Sequence, residues 1–182
     1  KYWGFCIQHN KRKKLKKGKY QVVIKSKLSK GNVEIGLEKL KGKTDKIMLL
    51  SSYLCHPSMA NNELSGPLVM VGLYNKIKQW KNRNLNYYFL INPETIGSIC
   101  FLSKYAKKLK KDLHSGMVVT SMGGPNNKLI YKKSRSDTSS LDRLFKYYHD
   151  KKKYLIRDFD PAEGSDEKQY CGAELNLPVG QI

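Results

Sequence analysis

The sequence predicts an α/β layered domain: a mixed, mostly parallel sheet in a three-layer arrangement between helices, with an N-terminal β-hairpin. Three observations carry this. Short unbroken apolar runs at 47–50, 87–91 and 117–120 have the length and composition of strands buried on both faces. Stretches with apolar residues at helical spacing lie between them, so strand and helix alternate as parallel crossovers require. Near the start, 33–40 alternates apolar and polar side chains, the pattern of a half-exposed strand.

In chain order, residues 1–18 mix an aromatic patch (Tyr2, Trp3, Phe5) with His9 and a basic run. Residues 20–28 read as a strand, 29–32 as turn chemistry, and 33–40 as the returning strand of the hairpin. Gly42 and Asp45 break the pattern before a buried strand at 46–53. From Ser65, the positions of Leu68, Val69, Val71, Gly72, Leu73, Ile77 and Trp80 predict a helix that ends in Lys- and Asn-rich sequence. A strand at 87–91 leads through a 92–98 loop into a helix near 97–110, then a third buried strand at 116–121. A turn at 123–127 precedes a short strand at 129–132. Residues 137–150 predict a helix with Leu141, Leu144, Phe145 and Tyr148 on one face and Asp137 or Thr138 as its cap. A Lys-rich link, a polar 161–167 segment, a short helix and an apolar 175–179 stretch follow. The reading is one domain over 1–182, a fragment cut at both ends, since no initiator Met or secretory segment opens it and 177–182 reads as a strand entering a loop.

The formal charge is +20, from 35 Lys and Arg against 15 Asp and Glu, and only five of the basic residues are Arg. Nucleic-acid readers combine Arg with exposed aromatics, because bidentate base contacts and stacking need planar groups. Lysine runs in loops and at helix ends fit a solvated surface instead, so nucleic acid is disfavoured as a partner. No apolar run is long enough to span a bilayer. Cys6, Cys55, Cys100 and Cys171 have no paired metal-knuckle spacing. They read as free thiols of a reducing compartment, the cytoplasm.

Chemistry concentrates where strands end. The 51–66 stretch leaves an apolar strand, turns polar at His56-Pro57 and carries Asn62 and Glu63 before a helix begins. Glu94 follows the next strand, and Asp166 lies in a later polar turn. Open α/β sheets place their sites outside the carboxyl ends of strands. Imidazole and carboxylate bind zinc there, and a further carboxylate can deprotonate a metal-bound water. Each residue also has a structural reading: His56 as a hydrogen-bonded loop side chain, Glu94 as a partner for helix N–H groups, Asp166 as a cap.

Motifs add to this. Tyr2-Trp3-Gly4-Phe5-Cys6, Ser52-Tyr53-Leu54-Cys55-His56-Pro57-Ser58-Met59-Ala60-Asn61, Leu64-Ser65-Gly66, Pro93-Glu94-Thr95-Ile96-Gly97-Ser98 and Gly164-Ser165-Asp166-Glu167-Lys168-Gln169-Tyr170-Cys171 occur in order. Over nearly the whole chain they resemble the aminopeptidase-like domain of bacterial polysaccharide-biosynthesis proteins, itself similar to the dinuclear zinc aminopeptidases. The resemblance implies a phosphorylase/hydrolase-like fold with one or two zinc ions at the strand ends. It implies His56 as first ligand and Glu94 as general base, with Ser65 and Asp166 near the substrate pocket. Asn62 stands where the family pattern Asp-Asn-Leu-Ser-Gly has its bridging aspartate, and Asn62 or Glu63 would be an auxiliary ligand, Glu63 being able to supply the missing charge. Thr95 replaces a second metal-binding glutamate of many such enzymes. A further aspartate would come from the strand before Gly123-Gly124, and a last histidine would lie beyond Ile182. A neutral amide is a weaker ligand than a carboxylate, so two zincs are harder to hold.

The leading expectation is a zinc-dependent hydrolase cleaving an amide, at a peptide N-terminus or an N-acyl group on a sugar precursor. Its rivals are a catalytically silent binding or scaffold module of the same fold, and a basic nucleic-acid-binding protein.

Overall fold

The computed structural model describes residues 4, 6–125, 128–149 and 154–182. The chain divides into two units, 1–31 and 32–182. Among its described residues, the first unit holds one short helix, α1 (His9–Arg12). The strand expected over 20–28 does not form, and Val23 and Ile24 are exposed. A strand is stable only when its hydrogen bonds and one face find partners. The residues expected to pair with it, now β1 (Gly36–Leu40), bond instead antiparallel to β3 (Asn86–Asn92), so the N-terminal hairpin is corrected to an edge pairing inside the second unit. The aromatic patch at Tyr2, Trp3 and Phe5 lies outside the described residues.

The second unit is one seven-stranded sheet. Besides β1 and β3 it holds β2 (Ile47–Tyr53), β4 (Leu113–Val118), β5 (Leu129–Lys132), β6 (Tyr154–Arg157) and β7 (Val179–Gln181). Their order is β1-β3-β2-β4-β7-β5-β6. β3, β2, β4 and β7 run parallel, so their carboxyl ends share one edge. β1 and β5 meet that block antiparallel, and β6 runs parallel to β5, making the sheet mixed and mostly parallel.

Helices cover both faces. α3 (Ile96–Asp112) and α5 (Glu167–Tyr170) bury Phe101, Leu102, Leu109 and Tyr170 against Ile47, Leu49 and Leu90. On the other face α2 (Ser65–Lys78) sets Met70 and Ile77 against Leu50 and Phe89. Alternate residues of β2 therefore feed opposite cores, which explains the unbroken apolar run. α2 begins close to the sheet: a Cβ on Gly66 would lie 2.3 Å from the Val119 carbonyl oxygen, so only glycine fits.

Several expected bounds move. The third buried strand, expected at 116–121, begins at Leu113 and leaves the ladder after Val118. The Lys-rich link yields β6, whose four residues alternate only partly buried and exposed and so give a weak apolar signal. α4 (Ser140–Tyr148) is capped by Ser139, not Asp137 or Thr138, in a reciprocal box with Asp142. Phe145 stacks on Tyr131, with ring centroids 3.9 Å apart, while Leu144 and Tyr148 of the expected apolar face are exposed.

Candidate metal centre

The site follows from strand pairing. β2 and β3 are adjacent and parallel, with Tyr53 opposite Asn92 at their ends. The Leu54 N–H donates to the Asn92 carbonyl at 3.0 Å and carries the pairing one step further. His56 lies three residues beyond Tyr53 and Glu94 two beyond Asn92, so the two loops leave side by side. The result is an imidazole Nδ1 standing 3.8 Å from Glu94 Oε2.

Between β2 and α2 the chain makes a π-helical turn, Ala60–Leu64. One extra residue per turn re-aims side chains, a device common at functional sites. It turns Glu63 inward: Oε1 lies 2.6 Å from His56 Nδ1, and Oε2 accepts from the Cys55 backbone N–H. Burial alone would raise the Glu63 pKa, but the Cys55 and His56 backbone N–H groups and the imidazole outweigh it and hold the carboxyl below its ordinary value. A carboxylate oxygen accepts, so the 2.6 Å contact fits an imidazole with its proton on Nδ1. Asn62, the expected ligand, places Oδ1 where it is shielded from solvent without a hydrogen-bond partner, and lines the cleft described below.

Glu94 is braced from the opposite side. Ser165 Oγ donates to Glu94 Oε1 at 2.6 Å, leaving Oε2 toward His56. The next residue, Asp166, is fully buried and accepts from Asn92 Nδ2 (3.0 Å), the Thr95 N–H (2.6 Å) and Ser98 Oγ (3.2 Å). It stands behind the site, not in it. Burial pushes the Asp166 carboxyl up against these three hydrogen bonds, and the Glu94 charge adds to the rise. Thr95 sits at φ 61°, an unfavourable region for a β-branched residue, pinned by Asp166. Ser65, expected near the pocket, accepts from the Met122 N–H at 2.7 Å and donates to the Asn61 carbonyl at 2.5 Å, so it ties α2 to the loop after β4.

Asn62, Glu94 and Ser165 reach a cleft of about 810 Å³ at the carboxyl edge of the parallel strands. Tyr53, Asn62, Glu94 and Ser165 line one part, and Lys128, Arg157, Asp158 and Glu163 another. Sequence reasoning did not single out Cys55. Its Sγ lies 3.2 Å from His56 Nδ1 and accepts from the Glu94 N–H at 3.2 Å. Together Cys55, His56 and Glu94 place one potential ligand atom each within 4.8 Å of one another. Burial, with the Glu63, Glu94 and Asp166 carboxylates nearby, pushes the Cys55 thiol up and makes it a poor free nucleophile.

The donor set suits a borderline-soft dication such as zinc, which takes imidazole, carboxylate and sulfur together. Asn62, whose shielded Oδ1 has no hydrogen-bond partner, lines the same cleft.

The fold is shared with zinc aminopeptidases: the structure of one from Bacillus subtilis aligns with a TM-score of 0.65 at 14% identity, over 81% of this chain and 38% of that one. A crystal structure described as a peptidase from Clostridium acetobutylicum aligns with a TM-score of 0.74 at 33% identity, over 81% of this chain and 34% of that one. A Clostridium acetobutylicum polysaccharide biosynthesis protein with an aminopeptidase-like domain is 36% identical over 182 residues, 99% of this chain. The chain spans 41% of that relative's length. Within this class of fold, the chain belongs to the family of domains of unknown function DUF4910, which matches residues 12–182. Among the described residues no helix is long and apolar enough to cross a membrane.

Proposed function

We propose that this domain is a zinc-dependent hydrolase of the aminopeptidase type, acting on an amide in surface-polysaccharide assembly. The observation that carries the reading is the convergence of His56, Glu63 and Glu94 from two adjacent strand ends, with Glu94 lining a cleft. His56 Nδ1 and Glu63 Oε1 would hold the zinc, which when bound supplies a Lewis acid and an acidified water. Glu63 brings the negative charge that the neutral Asn62 amide lacks. Glu94 Oε2 would take a proton from the attacking water and return it to the leaving amine. Ser165 holds the other oxygen of Glu94, so the carboxylate keeps its direction. The cleft carries both cationic and anionic side chains, room and polarity for a peptide N-terminus or an N-acyl sugar.

Zinc titration of the full chain tests this. The expected result is one tight equivalent, lost in His56→Ala, with amide hydrolysis lost in Glu94→Gln although that variant still binds zinc. Absence of zinc binding, unchanged by His56→Ala, overturns the reading. One observation favours a second reading, a silent binding module of the same fold: the family's bridging aspartate position holds an amide, Asn62, with Oδ1 unpartnered. That module would keep its stability in chelator and hydrolyse nothing.

A further inference from the structure

We infer that the Cys55 thiolate is a direct ligand of the metal at this site, joining His56 and a neighbouring carboxylate, so that the domain carries a mixed sulfur–nitrogen–oxygen centre. The inference rests on the zinc reading above and adds a residue to it.

The four cysteines differ in surroundings. Cys171 is fully buried and its thiol donates to the carbonyls of Leu177 (3.4 Å) and Val179 (3.1 Å), the behaviour of a packed structural thiol. Cys55 is exposed, and its sulfur points at an imidazole nitrogen 3.2 Å away. The sulfur also accepts the Glu94 N–H at 3.2 Å, a donor that compensates negative charge on sulfur. Around His56 Nδ1 there are thus a carboxylate oxygen at 2.6 Å, a sulfur at 3.2 Å and a second carboxylate oxygen at 3.8 Å.

Tetrahedral zinc with bonds of about 2.3 Å to sulfur and about 2.0 Å to nitrogen and oxygen sets its ligand atoms about 3.3–3.6 Å apart. The sulfur–nitrogen separation falls a little short of that range. The short Glu63–imidazole contact is the length of the hydrogen bond whose proton a cation would replace. Glu94 Oε2, at 3.8 Å, stands slightly beyond that range, and a Glu94 carboxylate oxygen lies within 4.8 Å of both the Cys55 sulfur and the imidazole.

Charge supports the same assignment. An amide at position 62 contributes none, whereas thiolate and Glu63 together neutralise a dication. Binding forms a sulfur–metal bond and breaks the S–H bond, and the displaced proton leaves to solvent. A thiolate in the set favours zinc, cobalt or cadmium over magnesium and calcium, which require oxygen.

The probe is cobalt(II) added to the full chain, read by absorbance. The expected result is a sulfur-to-cobalt charge-transfer band in the near ultraviolet that persists in Cys6→Ser and Cys100→Ser and disappears in Cys55→Ser. Zinc affinity in Cys55→Ser should fall at least tenfold, and zinc should protect Cys55 from alkylation by iodoacetamide in the unaltered chain. Cobalt binding at His56 without the charge-transfer band, with zinc affinity unchanged in Cys55→Ser, would overturn the thiolate assignment and leave the hydrolase reading standing. Failure of the unaltered chain to bind either metal would remove both.

Discussion

Two carboxylate clusters in this protein are built to opposite ends. Asp142 in α4 is fully buried, and four donors meet its two oxygens: Tyr131 Oη (2.9 Å) and the Ser134 N–H (2.9 Å) on one, Ser134 Oγ (2.5 Å) and the Ser139 N–H (2.9 Å) on the other. Beside the cleft, Glu63 is nearly as buried as Asp142, but it shares an imidazole that is 46% exposed, Glu94 Oε2 has only that ring at 3.8 Å, and Asn62 Oδ1 has nothing. A carboxylate with all its lone pairs taken joins α4 to the sheet and has nothing left to offer. A pair of carboxylates that share one imidazole, with Glu94 lining a cleft, keeps lone pairs with which to receive a cation. The satisfied cluster is structure, and the unsatisfied one is where we place function.

The largest effect expected from that contrast is at the satisfied end. Asp142→Ala leaves the Ser134 and Ser139 N–H groups and the Tyr131 hydroxyl without an acceptor and should cost about 3 kcal/mol or more. That is a fall in melting temperature of roughly 6–12 °C for a chain of this size, with metal affinity unchanged in the protein that remains folded. Burial raises the Asp142 pKa, but hydrogen bonds from Ser134, Ser139 and Tyr131 prevail and hold it below the ordinary value. A carboxyl depressed on folding contributes its stability above the unfolded value of about 3.9 and loses it as pH falls through the folded one. Denaturant melts should therefore weaken below about pH 4, and Asp142→Asn should flatten that slope.

Next in size is the response to metal. Zinc at a hundredfold excess over its dissociation constant should stabilise the domain by about 2.7 kcal/mol, reversed by chelator. His56→Ala should abolish this response while shifting the metal-free melting temperature by only a few degrees, because Glu63 keeps its backbone donor at Cys55. An equal response to zinc in both proteins would erase the distinction between the clusters. The smallest effect is at the brace: Ser165→Ala removes one hydrogen bond to Glu94 and should cost about 1 kcal/mol in thermal melts. Its larger consequence should appear in amide hydrolysis, as a lower turnover.

Much of the frame is legible in the residues. The apolar runs of β2 and β3 and the helical spacing of α2 and α3 declare themselves, because burial on both sheet faces leaves few polar positions to confuse the pattern. The 20–28 segment carries as strong a strand pattern and forms none, since β propensity expresses itself only against a partner. β6 shows the converse: a weak pattern that pairs because β5 lies beside it. At the site, His56 and Glu94 can be anticipated from strand-end loops. Between Asn62 and Glu63 the residues leave the choice open, because a π-helical turn decides which of the two faces inward, and helical periodicity carries no sign of it. Cys55 had a signal, a cysteine adjacent to a histidine at a strand end, but disulfide and knuckle spacings do not score that pattern.

The amino-acid sequence by itself determined the layered α/β class, the strand-end position of the polar residues and the chemistry those residues can perform, since each depends on local pattern and side-chain type. Tertiary structure alone decided that Glu63 turns toward the imidazole and Asn62 does not find a partner, that Cys55 sulfur lies against the same nitrogen, and that Asp166 backs the site from within the core. Those outcomes depend on distances between segments as far as 74 positions apart, as from Asn92 to Asp166. Such distances are set by strand order and helix phase, which no single stretch of residues encodes.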